Sequence, residues 1–281
     1  MTDTTLTKPT HKSGLIWLPF VILFLVYLPT LYDLVLNWYH DDNYSHGFLI
    51  PLVSAYLLWN GRQHLAELPR RTGGYGLILV IAGTLLFVLG TAAAEYFTAR
   101  LSLVISLFGL VWYTFGNTVA RKTWFAFAFL CFMIPIPYVF YYSVAFPMQV
   151  AATKITVGVL EAVGMAIVRQ GNIIHLSGGY SLEVADACSG IRSLVALLAL
   201  GAIYAYWSQK RVWGKLLLFV STVPIAVFAN VIRVLITTVL ASAGLTEVTE
   251  EPLHSMMGLS VFVISFICMF MLAALLRRIF R

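Results

Sequence analysis

The fold of this chain is decided by the stretch Leu216-Leu-Leu-Phe-Val-Ser-Thr-Val-Pro-Ile-Ala-Val-Phe-Ala-Asn-Val-Ile-Arg-Val-Leu-Ile-Thr-Thr-Val-Leu-Ala241. It is almost entirely apolar and exceeds the roughly 20 residues that a helix needs to cross a bilayer. The basic segment 208–215 precedes it, and Glu247, Glu250 and Glu251 follow it. Because Lys and Arg concentrate in cytoplasmic loops, this helix is predicted to run from the cytoplasm outward.

The composition extends this pattern to the whole chain. Of the 281 residues, 60% are hydrophobic and only 11% are charged, which excludes an ordinary soluble globular domain. The net charge of +6 is explained by cytoplasmic loops, so we expect the lipid bilayer and not nucleic acid as a partner. An odd number of cysteines, three, argues against a disulfide framework.

Apolar segments alternate with polar loops along the chain. Placing the basic loops on one side predicts an all-α polytopic membrane protein with about eight transmembrane helices and both termini in the cytoplasm. Residues 1–13 are predicted to be a cytoplasmic tail and residues 14–281 a single membrane domain. The basic loops are 61–71, 121–122, 208–215 and 277–281, and the predicted spans are 14–36, 48–59, 74–93, 101–115, 124–133, 188–207, 216–241 and 256–276.

Some segments depart from simple crossings. Pro19 and Pro29 are expected to kink the first span, as membrane helices tolerate. Residues 95–100 are predicted to form a short outer turn. Residues 170–183, with two adjacent glycines, are predicted to form a small extracytoplasmic hairpin. The region 138–168 carries Lys and Glu among apolar residues, and we interpret it as helical, lying along or dipping into the outer face.

That interpretation of region 138–168 determines where Cys188 lies. A crossing there would move Cys188 to the side of the basic loops. Without it, the motif Ala185-Asp-Ala-Cys-Ser-Gly-Ile-Arg-Ser-Leu194 lies outside, about where a membrane helix begins. Free N–H groups at a helix start, and Arg192 one turn further on, favour a thiolate at Cys188. A small cysteine packed at a helix end is the simpler alternative for this motif alone.

Two further polar residues are predicted at the same outer level. Arg233 lies eighteen residues after Lys215, about 27 Å along a helix, and an arginine in a membrane helix is by default a functional-site candidate. Asn230 is on the same face. His254 begins the last helix, where Gly258 one turn away is expected to let a partner helix approach it.

Together these residues are typical of acyl transfer. Cys188, His254 and Arg233 supply a nucleophile, a proton carrier and a fixed cation for an oxyanion. A metal cluster of His40, Asp41, Asp42 and His46 is the competing pattern. A solvated loop explains that cluster better, so we expect neither a metal nor a cofactor.

The same residues resemble the exosortase/archaeosortase family of membrane cysteine transpeptidases. The resemblance rests on the motifs Ala187-Cys188-Ser-Gly-Ile-Arg192-Ser and Ala229-Asn230-Val-Ile-Arg233, on His254 with Gly258, on Asn43–Pro51 and on Ile134-Pro-Ile-Pro137. It covers nearly the whole membrane domain. Archaeal relatives have an arginine at the position of His254, so the histidine favours the bacterial branch.

The resemblance implies a function beyond what the spacing shows. Such enzymes are thought to recognise a C-terminal signal on secreted proteins (a Pro-Glu-Pro, or PEP-CTERM, motif, a membrane helix and a basic tail), in systems linked to exopolysaccharide and biofilm. It implies that Cys188 forms an acyl-thioester and that Arg233 and His254 complete the site, with exchangeable roles. Arg192 and Asn230 are implied to support it. The catalytic half is implied to comprise about residues 170–276, with the site on the outer side of the bacterial inner membrane.

Three functions therefore stay open at this level. The first is a cysteine transpeptidase that transfers the new C-terminus to an unknown acceptor. The second is an intramembrane hydrolase, which uses the same residues with water as acceptor. The third is a transporter or assembly protein for polysaccharide export, since intramembrane arginine and broken helices also occur there.

Overall fold

The protein is helical apart from a small antiparallel sheet. The computed structural model describes residues 15–69, 72–176, 181–183, 191–245 and 253–280, with the backbone only at residues 145, 183, 191–193 and 253–255. These residues are helical over most of their length, which confirms the predicted all-α architecture. The helices are α1 (Leu18–Val26), α2 (Leu28–His40), α3 (Leu49–Asn60), α4 (Arg62–Glu67), α5 (Gly74–Ala92), α6 (Tyr96–Phe115), α7 (Asn117–Phe129), α8 (Tyr138–Ala162), α9 (Ile191–Ser208), α10 (Val212–Ser242) and α11 (Leu253–Ile279), and the strands are β1 (Ile167–Gln170), β2 (Ile173–Leu176) and β3 (Ser181–Glu183).

Several helices could cross a membrane. Among the described residues five have the length and apolar composition for it, namely α5, α6, α8, α10 and α11. Helices α1 and α2 add a sixth if they form one broken span, because they meet at a bend of 58°. The chain is thus a multi-pass membrane protein, and the count of about eight crossings stays a prediction.

The bend between α1 and α2 confirms the expected kink in the first span. Pro29 is the second residue of α2, a position where the missing N–H is tolerated, while the residue before a proline is disfavoured in a helix. The break falls at Tyr27, which is buried. Its hydroxyl lies 2.8 Å from the Ser102 hydroxyl and 3.3 Å from that of Ser106. These contacts fasten the bend to α6.

The predicted outer turn over residues 95–100 is wrong, because α6 already begins at Tyr96. Glu95 is its N-cap. The Glu95 carboxylate accepts backbone hydrogen bonds from Phe97 at 3.2 Å and from Thr98 at 2.7 Å. Hydrogen bonding, first of all from the Thr98 side chain, lowers the pKa of Glu95. Glutamate is not among the usual N-cap residues, so this helix start is hard to predict from the local sequence.

Helices α5 and α6 pack along their length on a row of glycines. Gly76, Gly83 and Gly90 are seven residues apart and buried on one face of α5. A Cβ added at Gly76 would overlap the backbone of Tyr113, and one at Gly90 would lie 2.7 Å from the backbone nitrogen of Ala99. Small residues at a membrane helix interface allow this close backbone approach.

Gly76→Ala should therefore destabilise the protein. Overpacking a tight interface costs about 1–3 kcal/mol, so we expect a lower midpoint for thermal unfolding in detergent. Gly74→Ala is the matched control, because a Cβ at Gly74 meets no atom within 4 Å. Equal unfolding midpoints for the two variants would contradict this packing.

The chain divides into two compact units. The first comprises residues 1–40 and 47–134, and the second comprises residues 41–46 and 135–281.

In the second unit the hydroxyl of buried Tyr44 accepts a hydrogen bond from the backbone N–H of Ile136, at 3.0 Å. Burial raises the pKa of Tyr44, so its hydroxyl stays protonated at neutral pH. This polar segment, Asp42–Phe48, forms a 3₁₀ helix.

In the second unit α8 and α10 run parallel to each other. Tyr141, near the start of α8, shares an apolar cluster with Ala226 in the middle of α10. Leu160, near its end, shares a second cluster with Ala241. Helix α8 ends at Ala162, so the predicted continuation of the helix to residue 168 is wrong, and β1 begins at Ile167 instead.

The predicted hairpin is confirmed and is larger than expected. Strand β2 pairs antiparallel with β3, with Ile173 opposite Glu183. Strand β1 adds a third strand on the other edge of β2, with Ile167 opposite Leu176. The two adjacent glycines of the prediction lie outside the described residues.

Candidate active site

Arg233 and Asn230 lie inside the second unit. Both belong to α10, one turn apart, and both are buried, with 4% of Arg233 and 1% of Asn230 exposed. An arginine that snorkelled to lipid headgroups would keep its charged end exposed. The burial therefore excludes snorkelling, and an arginine inside a membrane bundle is by default a candidate for a functional site.

Close contacts fix how α9, α10 and α11 align. A Cβ at Gly201 of α9 would overlap the side chain of Thr222 of α10, and the Thr222 hydroxyl lies 3.8 Å from Sδ of Met269 of α11. Nearer the other end, the Gln209 amide donates to the backbone carbonyl of Ala273, at 3.0 Å. Gly201, Thr222 and Met269 therefore lie at one level of the bundle.

This alignment brings three chain segments to one end of the bundle. Eleven residues are about three helical turns, so the same face recurs after that step. From Thr222 the step leads to Arg233 and from Met269 back to Gly258, and the ten residues from Gly201 back to Ile191 are nearly the same step. His254 is one turn beyond Gly258. The starts of α9 and α11 thus lie at the level of Arg233.

The sheet connects this level to the cysteine segment. Ile174 and Leu182 pack in one buried cluster with Val234, the residue after Arg233. Strand β3 ends at Glu183, five residues before Cys188. Strand β3, which precedes the cysteine motif in the sequence, therefore packs beside the helical turn that carries Arg233.

The remaining predicted residues are described in part. Cys188 lies outside the described residues, as do Glu247, Glu250 and Glu251. For Arg192 and His254 the helical backbone is described and the side chain is not. Among the predicted site residues, the structure brings together the side chains of Arg233 and Asn230.

The expected helix contact at Gly258 is not observed. A Cβ added there meets no atom within 4 Å, so no described helix packs against this glycine. Among the described residues, none fills the space beside Gly258 at the level of Arg233.

His175, in the hairpin, has a structural environment. Its Nδ1 lies 2.7 Å from the Ser181 hydroxyl on the neighbouring strand, and its Nε2 lies 3.4 Å from the Gln170 side-chain oxygen on the other. The imidazole thus cross-links the three strands.

Arg100 is a buried residue that the sequence reasoning missed. It lies in the first unit, near the start of α6, with 5% of its surface exposed. Its guanidinium lies 5.6 Å from the centre of the Tyr96 ring, and Asp33 and Glu95 are the acidic groups that act on it. An arginine near a helix end within an apolar run was the available signal.

A metal site has little support in the described part of the chain. There, no three His, Cys, Asp or Glu residues are grouped to hold an ion. In the polar loop that offered the competing cluster, the Asp41 carboxylate instead accepts a backbone hydrogen bond from Asn43, at 2.9 Å.

Comparisons with known proteins identify the family. The model of the transmembrane exosortase family (Exosortase_EpsH) matches residues 38–271, most of the chain. Neither the comparison with curated proteins nor that with solved structures gives a match. The matched region contains the cysteine motif, α10 with Asn230 and Arg233, and His254. This chain therefore belongs to the transmembrane exosortase family.

Proposed function

We propose that this protein is a cysteine transpeptidase of the bacterial inner membrane that cleaves a C-terminal Pro-Glu-Pro sorting signal from secreted proteins. Membership of the exosortase family supports a membrane sorting transpeptidase in general. The signal, the link to exopolysaccharide and biofilm, and the residue roles are the specific parts of the proposal.

The chemistry uses three side chains. The Cys188 thiolate attacks the carbonyl carbon of the scissile peptide bond, and Arg233 stabilises the oxyanion that forms. The carbon–nitrogen bond breaks, and the leaving amine takes a proton from His254. A nucleophile of the acceptor then attacks the thioester, loses its proton to His254 and releases the thiolate. Arg192 and Asn230 are assigned supporting roles.

The observation that carries the proposal is the packing of the sheet beside Arg233. The sheet shares its cluster with Val234, and its last strand ends five residues before Cys188. A nucleophile held near a buried guanidinium is the arrangement that acyl transfer needs.

We further propose about eight crossings with the site on the outer side. The basic loops support cytoplasmic termini, with the tail 1–13 inside and a single membrane domain over 14–281. Helix α10 then rises outward from Lys215. The placement of region 138–168 at the outer face rests on the side of the basic loops, because α8 is itself long and apolar enough to cross.

The proposed function is tested with a reporter protein that ends in a Pro-Glu-Pro motif, a membrane helix and a basic tail. The reporter is expressed with this chain, without it, and with the motif changed to Pro-Ala-Pro. We expect a shorter product only with the chain and the intact motif.

The mass of the new C-terminus separates the two enzymatic functions. An added group indicates transfer, whereas a free carboxyl indicates hydrolysis. An intact reporter in all three arms would contradict the proposal and favour the transporter alternative.

A further inference from the structure

The side-chain oxygen of Asn230 is one of five buried side-chain polar atoms in the described part of the chain that lack a hydrogen-bond partner. Asn230 is 1% exposed, and in the described part of the chain no group donates a hydrogen bond to its Oδ1. A buried acceptor without a donor destabilises a fold, and in an apolar bundle no bulk water compensates. Such an atom therefore indicates a donor that arrives from elsewhere.

Neighbouring polar side chains of α10 make their hydrogen bonds within the helix itself. The hydroxyls of Thr237 and Thr238 donate to the carbonyls of Arg233 and Val234, at 2.9 and 2.7 Å. An amide oxygen has no such option, because the N–H groups of a helix interior already bind carbonyls of the preceding turn. The donor to Asn230 has to come from outside α10.

Depth identifies the kind of donor. Asn230 is fifteen residues from Lys215, about 22 Å along the helix, which places it about 8 Å below the outer edge of an apolar core about 30 Å thick. A substrate helix that spans the membrane begins within about two helical turns of this level. The first four N–H groups of any helix lack a partner within the helix, and asparagine is among the best residues for binding them.

We propose that Asn230 caps the N-terminus of the substrate's membrane helix. Resting on the proposed function, this assigns to Asn230 a hydrogen bond from a backbone N–H in the first turn of that helix. Arg233, one turn further out, then faces the residues that precede the helix, where the sorting motif lies. The cap sets which peptide bond reaches Cys188.

The enzyme side of the test compares three variants, purified into lipid vesicles with a synthetic substrate. Asn230→Leu removes the acceptor at similar size, and we expect KM to rise about 5- to 10-fold with kcat changed by less than about twofold. Asn230→Asp keeps an oxygen there and should retain most of the affinity. Thr238→Val is the control and should behave as wild type.

Stability separates this role from a structural one. If Asn230 held the bundle together, Asn230→Leu would lower the unfolding midpoint in detergent. As a substrate cap without an internal donor, it should leave the midpoint unchanged or raise it. A lower midpoint combined with unchanged KM would overturn the proposal.

The substrate side replaces each of the first four helix amides by an ester, which lacks the N–H. We expect one position to raise KM about tenfold with wild type and to have no further effect with Asn230→Leu. Independent losses at every position, or a fall in kcat alone, would overturn the cap. If wild type does not process the parent substrate, the proposed function fails and the cap fails with it.

Discussion

Cys188→Ala should abolish processing of the reporter. Without the thiolate no thioester forms. The carbonyl carbon of a peptide bond is too weakly electrophilic for water to attack it at a useful rate in place of the thiolate. Removing the nucleophile of an acyl-transfer site costs on the order of 10⁴-fold or more in rate, so product should fall below detection on a gel. Fragment release by Cys188→Ala at the wild-type rate would contradict the assignment.

The chain provides matched controls for this variant. Cys131 is exposed and Cys268 is half-buried, and both are free thiols. We expect Cys131→Ala and Cys268→Ala to process the reporter as wild type does. A thiol reagent should inhibit the double variant that retains only Cys188.

Arg233→Gln should give the second-largest effect. A preorganised cation beside a developing oxyanion is worth about 10²–10³-fold in kcat, and glutamine keeps the bulk while removing the charge. Arg233→Lys should recover only part of the rate, because an ammonium lacks the planar fork of the guanidinium. The measurement is the initial rate of reporter cleavage per folded enzyme molecule.

Arg100→Gln is the control for removing a buried membrane arginine. Arg100 is as buried as Arg233 and lies in the other unit. We expect Arg100→Gln to reduce the amount of folded protein and to leave the rate per folded molecule unchanged. Equal losses of that rate in the two variants would show that removing any buried membrane arginine slows the reaction, and would contradict a specific role for Arg233.

The sequence predicted the features that depend on one segment at a time. The position of Arg233 within a long apolar helix followed from the pattern of α10, the bend of the first span from Pro29, and the hairpin from its paired glycines. Each prediction rests on local rules for helix rise, proline and turns. Membrane helices are well suited to such rules, because the bilayer fixes their length and requires their hydrogen bonds to be internal.

The features that it did not predict depend on contacts between segments. Strand β1 forms because β2 offers a free edge, which its short sequence does not reveal. Whether another helix packs against α11 at Gly258 depends on the arrangement of the bundle. A lone glycine in the sequence is compatible both with a close helix contact and with the open space that the described residues leave there. The unsatisfied oxygen of Asn230 likewise appears only once the surrounding side chains are in place.

The most direct test of the central claim is to trap the acyl-enzyme. Purified enzyme in lipid vesicles is mixed with the reporter in the absence of an added acceptor, and the products are weighed by intact mass spectrometry. The account predicts a covalent adduct between the enzyme and the reporter's N-terminal fragment, linked at Cys188, released by hydroxylamine and missing from Cys188→Ala. Cleavage that proceeds without a thioester, or an adduct that persists in Cys188→Ala, would contradict it.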